Sequence, residues 1–314
     1  MIRHYLWAGL DFMLDAEGVP VLLEANRSSH MLGEYIEFHG DERPFELTAR
    51  AMESADGPAC LLWRRGDPFP DADEDACYIG GYLAKHLHEP PVVCHVEDNQ
   101  VPAEELTAKD GGRVRPGSVF RWWYGLPWSY ERSGVRVINP NSVWVAVRDK
   151  LACYQTLAEA RTFRVPRAFP VESPAEVRQT LEQHADLFAS GYVLKPRVGW
   201  GGFGVQVGES ADPPREFAGG YLLSERIRPP LSQGRYWDVR AFVFCGEYLG
   251  GVQYSSYSPV TNWFQGGRAD RLDSGVAALI GPAALEAVER LDAAAELIHA
   301  LPQAPVSPLT NVEY

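Results

Sequence analysis

Short apolar runs separated by turn residues set the pattern of this chain, and the first two predict a hairpin. Tyr5–Met13 is apolar and strand-like, Asp15-Ala16-Glu17-Gly18 carries a turn signal, and Val19–Glu24 is a second strand. Asp11 interrupts the first run, while Glu24 and Asn26 share one face of the second because strand side chains alternate with period two. Pro44–Ser54 has a helical pattern. From Pro58 the composition shifts: Cys60–Trp63 and Pro91–Val96 are short strands around a helical stretch at Ala72–His88, and Val119–Trp123 and Val135–Ile138 are further strands. Strands alternating with helices predict a small α/β domain with an open sheet. Its aromatic cluster, Phe120 to Tyr124 with Trp128 and Tyr130, reads as packing, and the polar stretch Asp98–Gly112 as a surface loop.

In the second half, Asn139-Pro140-Asn141-Ser142 supplies capping residues ahead of a helix predicted over Val143–Arg161, which carries Asp149-Lys150. Val165-Pro166 and a strand at Arg167–Val171 follow, and Ser173-Pro174-Ala175-Glu176 opens a capped helix through about Phe188. The stretch Gly191–Gly204 reads as a strand ending in Lys195-Pro196, then a loop with Gly199, Gly201, Gly202 and Gly204, then a second strand from Val205. Such a hairpin can close over a polyphosphate: glycines let backbone N–H groups approach the oxygens, and the lysine supplies charge. A strand follows the loop rather than a helix, so neither a P-loop nor a dinucleotide fingerprint fits. Taken by itself a glycine-rich hairpin is more often an ordinary turn. Gly220–Ile227 and Tyr236–Phe244 are strands, the latter with Asp238 and Arg240 on one face, and Glu247–Gln253 pairs with it. The loop Thr261–Gly267 leads to a long helix over Pro282–Ala300 and a Pro-rich tail.

Composition narrows the function. A net charge of −13 over 314 residues argues against non-specific binding to nucleic acid or to an anionic membrane surface. With 46% hydrophobic and 23% charged residues, no eighteen-residue apolar run and no signal-peptide pattern, the chain reads as a globular cytoplasmic protein. Its five cysteines are odd in number and lack CxxC spacing, so they read as reduced thiols and not as a zinc site. Asp11, Glu24 and Asn26, brought together by the first hairpin, offer carboxylate and amide oxygens to a hard cation such as Mg²⁺; a hairpin with polar edges is the plainer reading.

The helix with Asp149-Lys150, then Val165-Pro166, Leu194-Lys195-Pro196 with its glycines, Ser224-Glu225-Arg226-Ile227, Asp238-x-Arg240 and Asn262-x-x-Gln265-Gly266-Gly267 together resemble the nucleotide-binding half of the ATP-grasp superfamily. The similarity is nearest to carboxylate–amine ligases such as the ribosomal-protein glutamate ligase and D-alanine–D-alanine ligase groups. In that family the last catalytic segment has an aspartate on an apolar strand and an E-x-N pair on the next. Asp11, Glu24 and Asn26 match it at spacings of thirteen and fifteen residues, but at the start of this chain instead of after the nucleotide half. The resemblance therefore implies an α/β protein of the α+β ATP-grasp type, circularly permuted. Residues 1–55 would carry the metal strands, 57–139 the small α/β domain, 140–300 the nucleotide-binding region, and 301–314 a tail. Gln253 stands where the glutamate-ligase group often has arginine, so substrate contacts do not carry over.

The resemblance implies an ATP- and Mg²⁺-dependent (or Mn²⁺-dependent) ligase that joins a carboxylate to an amine through an acyl phosphate, on an amino acid, peptide or small metabolite. Lys150 and Lys195 would neutralise phosphates, and Gly199, Gly201, Gly202 and Gly204 would cover them. Glu225, Arg226 and Ile227 would meet the adenine and ribose. Asp11, Glu24 and Asn26 would hold the metal, Arg240 would face the acyl phosphate, Asp238 the nucleotide, and Asn262 the metal or phosphate. Lys195, Arg240 and Asn262 are the expected catalytic set. Arg27, His30 and His39 are candidate acceptor contacts, no nucleic-acid or membrane partner is expected, and a homodimer stays open. A phosphotransferase on the same fold, or a non-catalytic nucleotide-binding protein, are the alternatives.

Overall fold

The computed structural model describes residues 2–26, 32–63, 72–95, 97–99, 104–121, 134–199, 202–209, 216–217, 219–229, 234–261 and 267–300. Its strands are β1 (Trp7–Leu14), β2 (Pro20–Asn26), β3 (Ala59–Trp63), β4 (Val92–His95), β5 (Leu106–Thr107), β6 (Arg113–Val114), β7 (Ser118–Arg121), β8 (Arg136–Ile138), β9 (Ala168–Val171), β10 (Tyr192–Pro196), β11 (Gln206–Gly208), β12 (Tyr221–Glu225), β13 (Tyr236–Phe244), β14 (Glu247–Ser256) and β15 (Arg268–Arg271). The helices are α1 (Leu32–His39), α2 (Arg43–Glu53), α3 (Ala72–His86), α4 (Asn141–Arg148), α5 (Lys150–Leu157), α6 (Pro174–Gln183) and α7 (Ser274–Ala300).

Asp15 closes the first hairpin: its Oδ1 accepts from the backbone N–H groups of Glu17 (3.2 Å) and Val19 (2.9 Å), and Gly18 takes a φ of +79°. That turn sets β1 against β2, while the other edge of β1 pairs antiparallel with β13 from Trp7↔Phe244 to Phe12↔Val239. The resulting sheet runs β15-β14-β13-β1-β2. Period-two alternation gives it two buried faces. Leu10, Phe12, Val239, Ala241 and Val243 pack on the apolar stripe of α7, including Ala284, Val288 and Leu291. Trp7, Phe242, Phe244 and Tyr254 pack on Phe45 and Met52 of α2 and on Leu61, Trp63 and Phe120 of a second sheet. This second sheet is parallel, in the order β4-β3-β7-β8, and realises the small α/β unit expected from the sequence. A third sheet, β11-β10-β12-β9, backs onto α6 through Val177, Leu181 and Phe188.

The start of the chain is fastened by two polar side chains. Buried Asp292 of α7 accepts from the backbone N–H groups of Arg3, His4 and Tyr5, the last at 2.8 Å. Asn139, at a φ of 51°, accepts from the N–H groups of Leu6 and Trp7 and donates to Trp7 O. Replacing Asp292 with alanine strips an anionic acceptor from three N–H groups. A loss of about 3 kcal/mol in unfolding free energy, read by urea titration, is the expected result; a change below about 1 kcal/mol would mean that water takes over its role.

Several expectations need correction. The single helix over Val143–Arg161 is two helices, because Asp149 leaves the helical region (φ −92°, ψ 109°) and caps α5 by accepting from Leu151 N–H and Ala152 N–H. The long final helix begins at Ser274 and carries Pro282 inside it. Asp98–Gly112 is more than a surface loop: it contains part of a small ribbon, with Leu106 and Asn99 buried. Helix α1 and edge strand β15 had no clear signal. β1 lies beside the Arg240 strand, but not beside the Leu194 strand, because β10 has both edges filled by β11 and β12. The ring of His4 lies 5.2 Å from that of His299, so the end of α7 reaches the start of the chain.

Candidate active site

Polar residues from distant segments meet through a series of side-chain contacts that begins on the β1–β2 hairpin. Asp11 stands opposite Glu24 on β2 and opposite Arg240 on β13. The Arg240 guanidinium binds the Asp11 carboxylate in a fork, with Nε to Oδ1 and Nη2 to Oδ2 both at 2.8 Å. Although Asp238 shares a strand face with Arg240, residues two apart on one strand compete poorly with a direct cross-strand neighbour. Burial works against the Arg240 charge, but Asp11 outweighs it and raises the pKa. Asn26 donates from Nδ2 to Asp11 Oδ2 at 3.1 Å, so Asp11, Glu24 and Asn26 do converge as the sequence predicted.

Asp238 lies on the same face of β13 as Arg240 and accepts a hydrogen bond from the Thr261 hydroxyl. Burial, reinforced by the nearby Asp11 charge, pushes its carboxyl up to about 7 against the opposing pull of Thr261 and Arg240. This protonatable carboxyl beside the arginine has no counterpart in the sequence reading, which gave Asp238 a nucleotide contact.

The lysines enter from two other elements. Lys150 opens α5, and its Nζ reaches Gly199 O at 2.7 Å and Glu24 Oε1 at 3.3 Å. Asp149 binds Arg197 through a charged fork and Lys150 N–H donates to Arg197 O at 3.0 Å, which ties the start of α5 to the strand end after Lys195. Lys195 is buried; its Nζ donates to Tyr154 Oη at 2.8 Å and to Leu23 O at 3.3 Å. Burial, and then the neighbouring Lys150 charge, lower its pKa to about 8, with Glu24, Cys153 and Asp11 pulling the other way.

The glycine-rich hairpin pairs Tyr192↔Gly208 through Leu194↔Gln206, one residue later than expected for its second strand. Gly204 has a φ of +74°, and a Cβ there would approach Tyr221 Oη to 2.9 Å, so no other residue fits that bend. Gly199 and Gly202 belong to the same loop, whereas Gly201 and Asn262 lie outside the described residues, as do Arg27, His30 and the aromatic residues from Trp122 onward. His39 bonds Gly251 O at 3.0 Å and stacks on Tyr35, which accounts for it as a packing residue.

At the hinge, the Glu225 carboxylate is engaged by Arg164 (2.7 Å) and by Arg167 N–H (2.9 Å), and the Arg226 side chain turns to Glu209. Ile227 packs with Met13 and Val21, against Leu23, forming a small apolar floor between the two sheets. A cleft of about 920 Å³ opens beside the hinge, lined by Leu151, Tyr154, Gln155, Arg164 and Glu225 among others. Among the described residues no three His, Cys, Asp or Glu side chains are grouped to hold a metal; the predicted trio has two carboxylates and an amide. That donor set, all oxygen, fits a hard cation better than zinc or copper. Among the described residues no helix is long and apolar enough to cross a membrane, and Cys60, Cys94, Cys153 and Cys245 are free thiols.

No protein-family model and no curated protein matches the chain by sequence. Solved structures do match it. A gamma-glutamylcysteine synthetase candidate from Methylobacillus flagellatus KT superposes with a TM-score of 0.60 at 11% identity, covering 95% of this chain and 90% of its own. The D-cycloserine synthetase DcsG (TM-score 0.48, 18% identity, 77% and 82% covered) and the D-alanyl-alanine synthetase A of Vibrio cholerae (0.48, 11%, 76% and 81%) are more distant. The chain therefore shares the mixed α/β fold of the first of these structures.

Proposed function

We propose that this protein is an ATP-dependent ligase that joins a carboxylate to an amine on an amino acid, peptide or small metabolite. The observation that supports this reading is the meeting of Lys150, Lys195, Glu24, Asp11 and Arg240 beside the glycine-rich hairpin, whose Gly199 O accepts from Lys150. A carboxylate is a poor electrophile, so its oxygen first attacks the γ-phosphorus of ATP and expels ADP. The amine nitrogen then attacks the acyl carbonyl and expels phosphate. Such catalysis is positioning and charge neutralisation, which explains a site rich in cations and without a covalent nucleophile.

In this reading Lys150 and Lys195 neutralise phosphates, the hairpin's N–H groups cover them, and Met13, Val21, Leu23 and Ile227 offer the base an apolar floor. Glu24, Asp11 and Asn26 would hold Mg²⁺, which supplies charge to the phosphate oxygens when bound. Arg240, oriented by Asp11, faces the charge developing on the transferred phosphoryl group. Glu225 acts through Arg164, shaping the hinge instead of touching ribose. We read the motif order as a circular permutation, in which β1 and β2 complete the sheet begun by β13. The site is contributed by one chain in this reading.

Release of ADP from ATP and Mg²⁺ when panels of carboxylates and amines are supplied together, with the ligated product found by mass spectrometry, tests the proposal. In the same assay Lys195→Ala is expected to weaken ATP binding ten- to a hundredfold, since each lost charged contact costs about 1.5–3 kcal/mol. Unchanged affinity would remove Lys195 from the nucleotide site.

A further inference from the structure

We propose that Tyr154 positions the Lys195 ammonium for the nucleotide. The inference rests on the nucleotide site proposed above and deepens it. Lys150 and Tyr154 are four residues apart on α5, so they project from the same face of that helix. Lys150 reaches Gly199 O and Glu24 directly. Tyr154 reaches the same region through its hydroxyl, which donates to Leu23 O at 2.6 Å and accepts from Lys195 Nζ at 2.8 Å. One helix face therefore governs both lysines, although Lys195 belongs to β10.

The hydrogen-bond inventory explains why a hydroxyl is needed there. Lys195 brings a flexible four-carbon stem and three N–H donors. Among the described residues two acceptors fix it, Tyr154 Oη and Leu23 O, and both are themselves anchored: Leu23 by β2, Tyr154 by its bond to that same carbonyl. The third donor is left for an anion. Tyr154 is 4% exposed, so no bulk water stands ready to replace its oxygen. A packing role would be met by the ring; the hydroxyl, bonded on both sides and wedged between two strands, has no packing duty. Removing it would leave a buried ammonium free to swing toward Glu24, and away from a phosphate.

A double-mutant cycle on the full chain tests this, with Mg²⁺-ATP binding measured by calorimetry for the unaltered protein, Tyr154→Phe, Lys195→Ala and the double variant. Tyr154→Phe is expected to raise the ATP dissociation constant about tenfold, and to have little further effect once Lys195 is alanine. A melting temperature near that of the unaltered protein verifies that the ring still fills its place. Tyr154→Phe binding ATP as tightly as the unaltered chain overturns the inference while leaving the nucleotide site intact. An equal loss in both backgrounds overturns it too, since it would mark a general packing defect. If Tyr154→Phe melts early, Tyr154→His, which retains a polar ring atom, must recover affinity in the Lys195 background only; recovery in both backgrounds goes against the proposal. Failure of the unaltered chain to bind ATP would overturn both this inference and the function on which it rests.

Discussion

Arg240→Lys is expected to lower turnover about a hundredfold or more while ATP affinity changes by no more than a few fold. The fork from Nε and Nη2 to the two oxygens of Asp11 fixes the guanidinium plane across two strands. A lysine keeps the charge but replaces a planar fork with a point donor on a flexible stem, so it cannot hold the same orientation toward a transferring phosphoryl group. Loss of one preorganised donor aimed at developing charge costs on the order of a hundred- to a thousandfold in other enzymes. Single-turnover measurements at saturating ATP would isolate this step, since an interaction strengthened in the transition state affects kcat more than nucleotide binding. Normal turnover in Arg240→Lys would reduce Arg240 to the buried counter-charge of Asp11.

A second large effect separates metal binding from that ion pair. Asp11→Asn and Glu24→Gln should each reduce activity by about a thousandfold or more, because each removes a carboxylate from the three-oxygen set expected to hold Mg²⁺. Their stabilities should diverge. Asp11→Asn removes the counter-charge from a two-bond fork on a partly buried Arg240 guanidinium, a loss of about 1.5–3 kcal/mol. Glu24→Gln weakens a single 3.3 Å contact with Lys150 at a more exposed carboxylate, a change of about 1 kcal/mol. Urea unfolding with Mg²⁺ absent reads the stabilities, and activity against Mg²⁺ concentration reads the metal. An active Glu24→Gln protein with unaltered Mg²⁺ dependence would take the metal out of this site.

Local pattern was enough to find most of the chain's strands. β13 spans Tyr236–Phe244 as predicted, and the Asp11, Glu24 and Asn26 spacing implied a convergence that the hairpin register produces. Pairings across long separations were not legible. Alternation on one strand puts Asp238 beside Arg240, whereas the partner that wins is Asp11, 229 residues away. The break between α4 and α5 was hidden for a similar reason: helix propensity runs through Val143–Leu157, and the Asp149 that caps α5 is held in place by accepting from Arg197, 48 residues on. Tyr154 left one usable trace, its i+4 spacing from Lys150. β15, with the sequence Arg268-Ala269-Asp270-Arg271, has no apolar alternation to announce a strand.

The pairing of β1 with β13 has a consequence for how the chain is made. Trp7 meets Phe244 and Phe12 meets Val239, so β1, an inner strand of the five-stranded sheet, is synthesised long before β13, its second neighbour. At about 5–20 residues per second that interval is on the order of ten seconds or more. Until then the β1–β2 hairpin carries an open edge with Trp7, Leu10 and Phe12 unburied. Such edges invite pairing with other nascent chains, and contacts this remote in sequence close slowly because loop entropy is lost before they form. Holding Asp11 between sequence-distant strands thus leaves that edge to be shielded by other means during translation.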